Sequence, residues 1–280
     1  MRALLLLGLL GLTASAGAQP LAEGGARRIA LARGGVALGG DVWGHANAAA
    51  WAGLDARAAG LQASQAYGLS ELRLAALAVA TPTPVGTVAL AARTYGFEQH
   101  RETRVELGLG RRLPLSRSRS LDAGLALGVE STSTADRGDV TFGSTNTFVL
   151  SAGVQGEVLS GFRVGLSGRN LLGVARSADA DLSSPLSTVP TVAVGVAYAP
   201  SAAATVVLDA TQDLDAGLGV GGGVEIRPVE MLTLRVGAGT TPVRYSAGVG
   251  VRAAGLVADL AFEKHQDLGV TPAVGLGIVF

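Results

Sequence analysis

The sequence predicts an all-β chain: a transmembrane antiparallel β-barrel of about fourteen strands, preceded by an N-terminal luminal or periplasmic segment. Three observations predict it. Mean hydropathy is +0.40 and 41 of the 280 residues are glycine, a combination rare in a water-soluble domain of this size. Beyond the N-terminus no stretch makes a helix able to cross hydrocarbon. The one uncharged run long enough, Leu74 to Ala92, carries Pro82, Pro84 and Gly86 in its middle, which break a helix but suit a tight turn between strands. Segments of about ten residues, alternating apolar with small or polar side chains, then fill most of the chain.

Taken in order, the chain opens on a secretory signal. Arg2 precedes the apolar stretch Ala3 to Leu12, which leads to Ala16-Gly17-Ala18, so residues 1–18 form the signal and the mature chain begins at Gln19. Residues 19–57 form a separate segment with Gly-Gly pairs and an Ala-rich stretch, Ala46-Asn47-Ala48-Ala49-Ala50-Trp51. That stretch has helix propensity but is too short to stand alone in water, so it needs a surface to pack on, and the barrel lumen is the nearest. Trp43, Asn47 and Trp51 are its candidate ligand or plug residues. The barrel occupies 58–280.

Strands are expected at 58–66, 70–80, 85–95, 103–113, 119–130, 146–157, 161–171, 190–199, 204–212, 217–227, 231–240, 243–253, 255–265 and 270–280. The alternation is clearest near the C-terminus. Leu232, Leu234, Val236 and Ala238 oppose Thr233, Arg235, Gly237 and Gly239, and the last strand opposes Val274, Leu276, Ile278 and Phe280 to Gly275, Gly277 and Val279. The first set of each pair should meet lipid. A one-residue slip would put arginine into hydrocarbon at about 2–4 kcal/mol each near the midplane, so the register is well specified. Counting back from Phe280, the short links fall at one end of the barrel and the two long ones, Ser131 to Thr145 and Leu172 to Val189, fall at the other, the asymmetry known for such barrels.

Composition excludes several function classes. There is no cysteine, hence no disulfide and no thiolate metal site. With 22 basic and 22 acidic residues the chain has no electrostatic footprint for nucleic acid. His45, His100 and His265 have no metal-ligand spacing and fit no serine-histidine arrangement, so neither a metal, a cofactor nor an enzyme activity is expected. Gly217 to Gly223 contains a GxGxxG match, but it lies inside an alternating strand; its inward glycines would instead leave room for something bulky in the lumen. Inward positions also carry charge: Arg104, Glu106, Asp122, Glu130, Arg163, Arg169, Asp209, Glu225, Arg235, Arg252, Asp259 and Glu263. Their mixed signs predict an ion-pair network across the interior, in which arginine can fork to carboxylate.

Several stretches carry a family resemblance: Val164-Gly165-Leu166-Ser167-Gly168-Arg169-Asn170-Leu171, Pro190 opening Val192 to Tyr198, Asp209 in an apolar strand, Tyr245 to Gly250, and the ending Asp259 to Phe280 with its terminal aromatic. In this order they resemble PorV/PorQ-type proteins of the FadL-like group of fourteen-stranded outer-membrane barrels. Family members carry an Asn-Pro-Ala-Gly-Leu-like hatch motif, matched here by Asn47 to Leu54 without the proline. The resemblance implies a bacterial outer-membrane location, contact with outer-membrane lipids, and passive transport of a hydrophobic small molecule. The alternative it implies is a non-transporting scaffold that binds secretion-system proteins.

Overall fold

A computed structural model describes residues 24–44, 46–116, 119–135, 141–177 and 188–280. The signal segment 1–18 and His45 lie outside the described residues, as do parts of the two long connections. Fourteen strands follow one another: β1 Ala58–Gln65, β2 Arg73–Thr83, β3 Gly86–Gly96, β4 His100–Pro114, β5 Ser120–Ala135, β6 Thr141–Leu159, β7 Phe162–Ser177, β8 Thr191–Ser201, β9 Ala204–Asp213, β10 Gly217–Val229, β11 Leu232–Gly239, β12 Arg244–Ala253, β13 Leu256–His265 and β14 Gly269–Val279. Each pairs antiparallel with its sequence neighbours, and β1 also pairs with β14, from Ala58↔Val279 to Ser64↔Ala273, which closes the barrel. Closure leaves no sheet edge to be satisfied by lipid.

The two-residue alternation sorts every strand into an outward and a luminal face. On β11, Val236 is 59% exposed while Arg235 is buried; on β13, Leu260 and Phe262 are exposed while Ala261 and Glu263 are buried. Outward positions of the described strands carry Leu, Val, Ile, Phe and Ala, as a surface solvated by hydrocarbon requires.

The two ends differ. At the Phe280 end, two residues suffice to join β2 to β3, β6 to β7, β8 to β9, β10 to β11 and β12 to β13. Gly161 and Gly255 hold positive φ in two of these turns, at 73° and 81°, where a side chain would be strained. At the opposite end β7 runs eight residues past its last pair with β8, and β5 and β6 extend beside it. The first of the expected long connections is therefore mostly strand and the second begins as strand, since β5 runs on to Ala135, β6 starts at Thr141 and β7 reaches Ser177. The polar run Ser131-Thr132-Ser133-Thr134 looks like a loop by composition. Its alternating β-branched residues nonetheless extend a strand once both faces lie beyond hydrocarbon.

One wall position departs from a continuous ladder. The β7–β8 pairing stops at Arg169↔Thr191, and β7 bulges over Arg169 to Leu171, with Asn170 in the left-handed region at φ 52°. Asn170 clips this corner: its Nδ2 donates to the Val189 carbonyl and its Oδ1 accepts from Arg104. The glycine-rich β10, by contrast, pairs without a break to β9 from Gly217 to Ile226.

Residues 24–57 lie within the barrel. They contain one helix, α1 Gly25–Ala30, and a 3-10 helix, Ala48–Gly53, each packed on luminal wall positions. Ile29, Ala30, Leu31, Ala32, Val36, Ala37 and Ala49 are completely or almost completely buried. The wall is cut away to receive them. An added Cβ would come within 2.7 Å of the Ala32 nitrogen at Gly237, 2.6 Å of the Ala30 Cβ at Gly248 and 2.5 Å of the Ala52 nitrogen at Gly110. Gly108, Gly124, Gly153 and Gly165 likewise meet Trp51, Ala48, Asn47 and Val36.

Because the outward register is fixed by lipid, Val236→Arg should destabilise the folded barrel by about 2–4 kcal/mol if position 236 lies near the midplane. The measurement is denaturant unfolding in lipid vesicles. A change within error would mean that Val236 does not face hydrocarbon.

Candidate functional site

The luminal segment is too short and irregular to satisfy its own backbone, so the wall supplies the missing partners. Gly25 N–H donates to Gln62 Oε1 at 2.8 Å, and Ala32 N–H to Ser246 Oγ at 2.9 Å, while Ser246 Oγ donates onward to the Ala30 carbonyl. Asp209 Oδ2 accepts from two consecutive amides, Gly35 at 2.7 Å and Val36 at 2.9 Å. Arg163 donates to the Ala37 carbonyl. Asn47 acts from within the segment. Its Oδ1 caps Ala49 N–H, opening the 3-10 helix, and its Nδ2 donates to the carbonyls of Val36, Val154 and Leu166. Ala32 and Arg33, both at positive φ (50° and 68°), mark the sharp turn after α1. Such a turn persists only where surrounding contacts over-determine it, which Ser246 and Glu263 do here.

Six carboxylates organise the charge. Glu225 takes Arg27 in a two-bond fork at 2.8 and 3.0 Å, together with Arg235 at 2.7 Å, and Arg235 reaches on to Asp259 at 2.5 Å. Glu263 takes Arg33 in a second fork at 2.8 and 3.2 Å. Asp122 holds Arg112 and Arg163 at 2.9 and 3.1 Å. Glu130 binds Arg93, and Glu106 binds Arg104 at 2.6 Å. Apart from Asp259 these carboxylates are almost fully buried, and charge in such a place persists only when paired and hydrogen-bonded.

The expected site residues are thereby located. Arg163, Asp209, Glu225 and Glu263 point into the lumen and bind the segment directly; Arg235 binds Glu225, and Asp259 binds Arg235. Arg169 borders a small void beside Trp51, Arg104 and Asn170. Arg252 departs from the expected network. It has inward parity but lies exposed at the Phe280 end, where β12 leaves the packed interior, and makes no ion pair among the described residues. The expected network crossing from wall to wall is also corrected in its partners, because two of the carboxylates, Glu225 and Glu263, are completed by Arg27 and Arg33 of the luminal segment. Sequence reasoning missed these two, along with Gln62, Arg93 and Arg112, while parity placed Arg244 and Ser246 on the luminal face without giving them a role. Inward parity on their strands would have found the other wall residues; nothing in the sequence pairs Arg27 with Glu225.

Trp43, Asn47 and Trp51 fall in different places. Trp51 is buried against Gly108 and Gly110 of β4, its Nε1 donating to the Val42 carbonyl at 3.0 Å. Asn47 is fully buried as the clip described above. Trp43 borders a cavity of about 180 Å³ between the segment and the wall near the Phe280 end. Val42, Trp43, Leu54 and Ala58 form its apolar side along the β1–β14 seam, and Arg27, Glu225, Arg235 and Asp259 form its charged side. The glycine run of β10 receives the segment too, since an added Cβ at Gly221 would stand 2.5 Å from the Ala32 carbonyl oxygen.

Glu225 forks to Arg27 and also binds Arg235, so Glu225→Ala leaves Arg27 without its carboxylate while Arg235 keeps Asp259, and should cost about 3–5 kcal/mol of unfolding free energy. Urea titration in vesicles reads this. A cost near zero would show that the centre is hydrated and that Glu225 does not bind the segment.

No protein-family model matches the chain, and no curated protein matches it. Among solved structures the fold is similar to the CymD monoaromatic hydrocarbon channel, with a TM-score of 0.69 at 12% identity over 94% of this chain and 99% of that one. It is similar also to a Pseudomonas aeruginosa FadL homologue, with a TM-score of 0.62 at 11% identity over 92% and 98% of the two chains. The TodX monoaromatic hydrocarbon channel deltaS2 mutant gives 0.54 at 10% identity over 89% and 96%. At these identities the likeness establishes the fold alone: a closed fourteen-stranded antiparallel barrel.

Proposed function

We propose that this chain is a FadL-like outer-membrane channel through which a small hydrophobic molecule crosses passively, with residues 1–18 removed on export and 19–57 serving as its plug. The observation that carries the reading is the cavity beside Trp43. It lies between a luminal segment and the wall of a fourteen-stranded barrel, and its seam side, Val42, Trp43, Leu54 and Ala58, is apolar. An apolar solute sheds water on entering such a space along its seam side, while Arg27 and Arg235 opposite are engaged by Glu225 and Asp259. Two of the most similar folds are those of proteins described as monoaromatic hydrocarbon channels, which favours the same solute class. An open aqueous porin is disfavoured, since wide channels take more strands and this lumen is filled. The PorV/PorQ-like stretches, above all Arg169-Asn170-Leu171 at the β7 bulge and the ending from Asp259 to Phe280, support a place within the FadL-like group. In this reading Phe280 lies at the periplasmic end and the extended ends of β5 to β7 face outside.

Uptake of a monoaromatic hydrocarbon and of a long-chain fatty acid by cells that lack channels of their own tests the reading. The intact protein should raise uptake of at least one of the two, Trp43→Arg should lower that uptake several-fold with the barrel still folded, and deletion of 19–57 should open an ion-conducting pore. If neither the intact nor the deleted protein carries either solute, transport is abandoned, and a scaffold role in an outer-membrane secretion or attachment complex replaces it.

A further inference from the structure

The outer wall of a barrel is normally convex, yet this one carries a concavity of about 910 Å³ across the β1, β2 and β3 ends remote from Phe280. Its floor is formed by outward positions of small or apolar type, Ala63 and Ala75 at its centre and Leu260, Pro272 and Val274 along one side. Two guanidinium side chains stand on its rim, those of Arg73 and Arg101. Arg73 donates to the Ser70 carbonyl at 2.6 Å, and both side chains are exposed.

The distribution of charge over the whole outward surface gives these two residues their meaning. On the outward faces of the described strands there is no carboxylate. The charged side chains there are cations, Arg73, Arg101 and Lys264 at the end remote from Phe280 and Arg111 at the Phe280 end. Of the two carboxylates nearby, Glu98 lines the concavity from the turn between β3 and β4, one acid against the two arginines, and Glu71 sits in the turn before β2. Arginine at the upper limit of a hydrocarbon band keeps its stem along apolar surface and its head in the interface, where its fork matches phosphate oxygens.

We propose that this concavity is a binding site for a phosphate-bearing, multi-acyl lipid of the outer leaflet, with the acyl chains over Ala63, Ala75 and Val274 and the phosphate held by Arg73 and Arg101. The shape takes chains that a convex wall would shed, and the cationic rim selects an anionic headgroup over a zwitterionic one. The site lies on the outside of the barrel and does not depend on what the lumen carries.

Native mass spectrometry of the full-length barrel, exchanged from detergent into micelles doped with lipid A or with phosphatidylethanolamine, tests it. The wild-type protein should retain lipid A through delipidation and lose phosphatidylethanolamine. Retention should fall about tenfold for each of Arg73→Ala and Arg101→Ala, as loss of one charge-assisted contact implies. Ala75→Trp, which fills the floor and leaves the charge alone, should lower retention as well. Heat-modifiable migration on gels confirms that each variant is folded, and a variant that fails this check is replaced by Arg→Gln at the same position. Equal retention of the two lipids, or lipid A retention unchanged in both arginine variants, overturns the proposal.

Discussion

A strand in hydrocarbon has no water to satisfy its amides and carbonyls, and every other feature of this chain follows from that constraint. It forces the sheet to close, through the β1–β14 pairing, and closure of fourteen strands encloses an interior that side chains alone do not fill. The interior must then be occupied by water or by protein. Here residues 24–57 occupy it, and because they too carry backbone groups that their short helices leave unpaired, the wall answers with Gln62, Asp209 and Ser246.

Two devices make that occupation specific. The first is steric: luminal glycines on β4, β5, β7, β11 and β12 let backbone approach backbone, so the high glycine content is a record of the shape of the inserted segment. The second is electrostatic. Arg27 and Arg33 dock on Glu225 and Glu263 with forked geometry, so loss of either acid would leave its arginine of the segment without that fork. A buried ion pair is weak support for stability but a strong determinant of register, which is what a segment without regular structure needs.

Much of the barrel was legible in the sequence because period-two alternation under a lipid constraint leaves little freedom. The strand expected at 255–265 runs over Leu256–His265, and that expected at 204–212 over Ala204–Asp213. What failed did so where the constraint lapses. Above the hydrocarbon both faces of β5, β6 and β7 meet polar surroundings, so Ser131 to Thr134 carry no hydropathy signal and strand was taken for loop. Inside the lumen, parity identified Glu225, Arg235 and Asp259 as inward, but which charge meets which depends on the path of the inserted segment. That path is set by glycine notches scattered around the wall, and no local pattern encodes it. Trp43, Asn47 and Trp51 were singled out together, yet they separate into a cavity wall, a backbone clip and a core anchor.

The central claim is that residues 24–57 sit in the lumen against these particular wall positions, and the absence of cysteine makes a clean measurement available. A Cβ built at Gly275 of β14 lies 3.5 Å from the Cβ of Ala26 in α1, a separation that a disulfide accepts. The variant carrying Ala26→Cys and Gly275→Cys should cross-link in high yield in intact outer membranes, seen as a reductant-sensitive shift on unfolded gels, with neither single variant shifting. Folded barrel in which the pair stays reduced under oxidant would contradict the account.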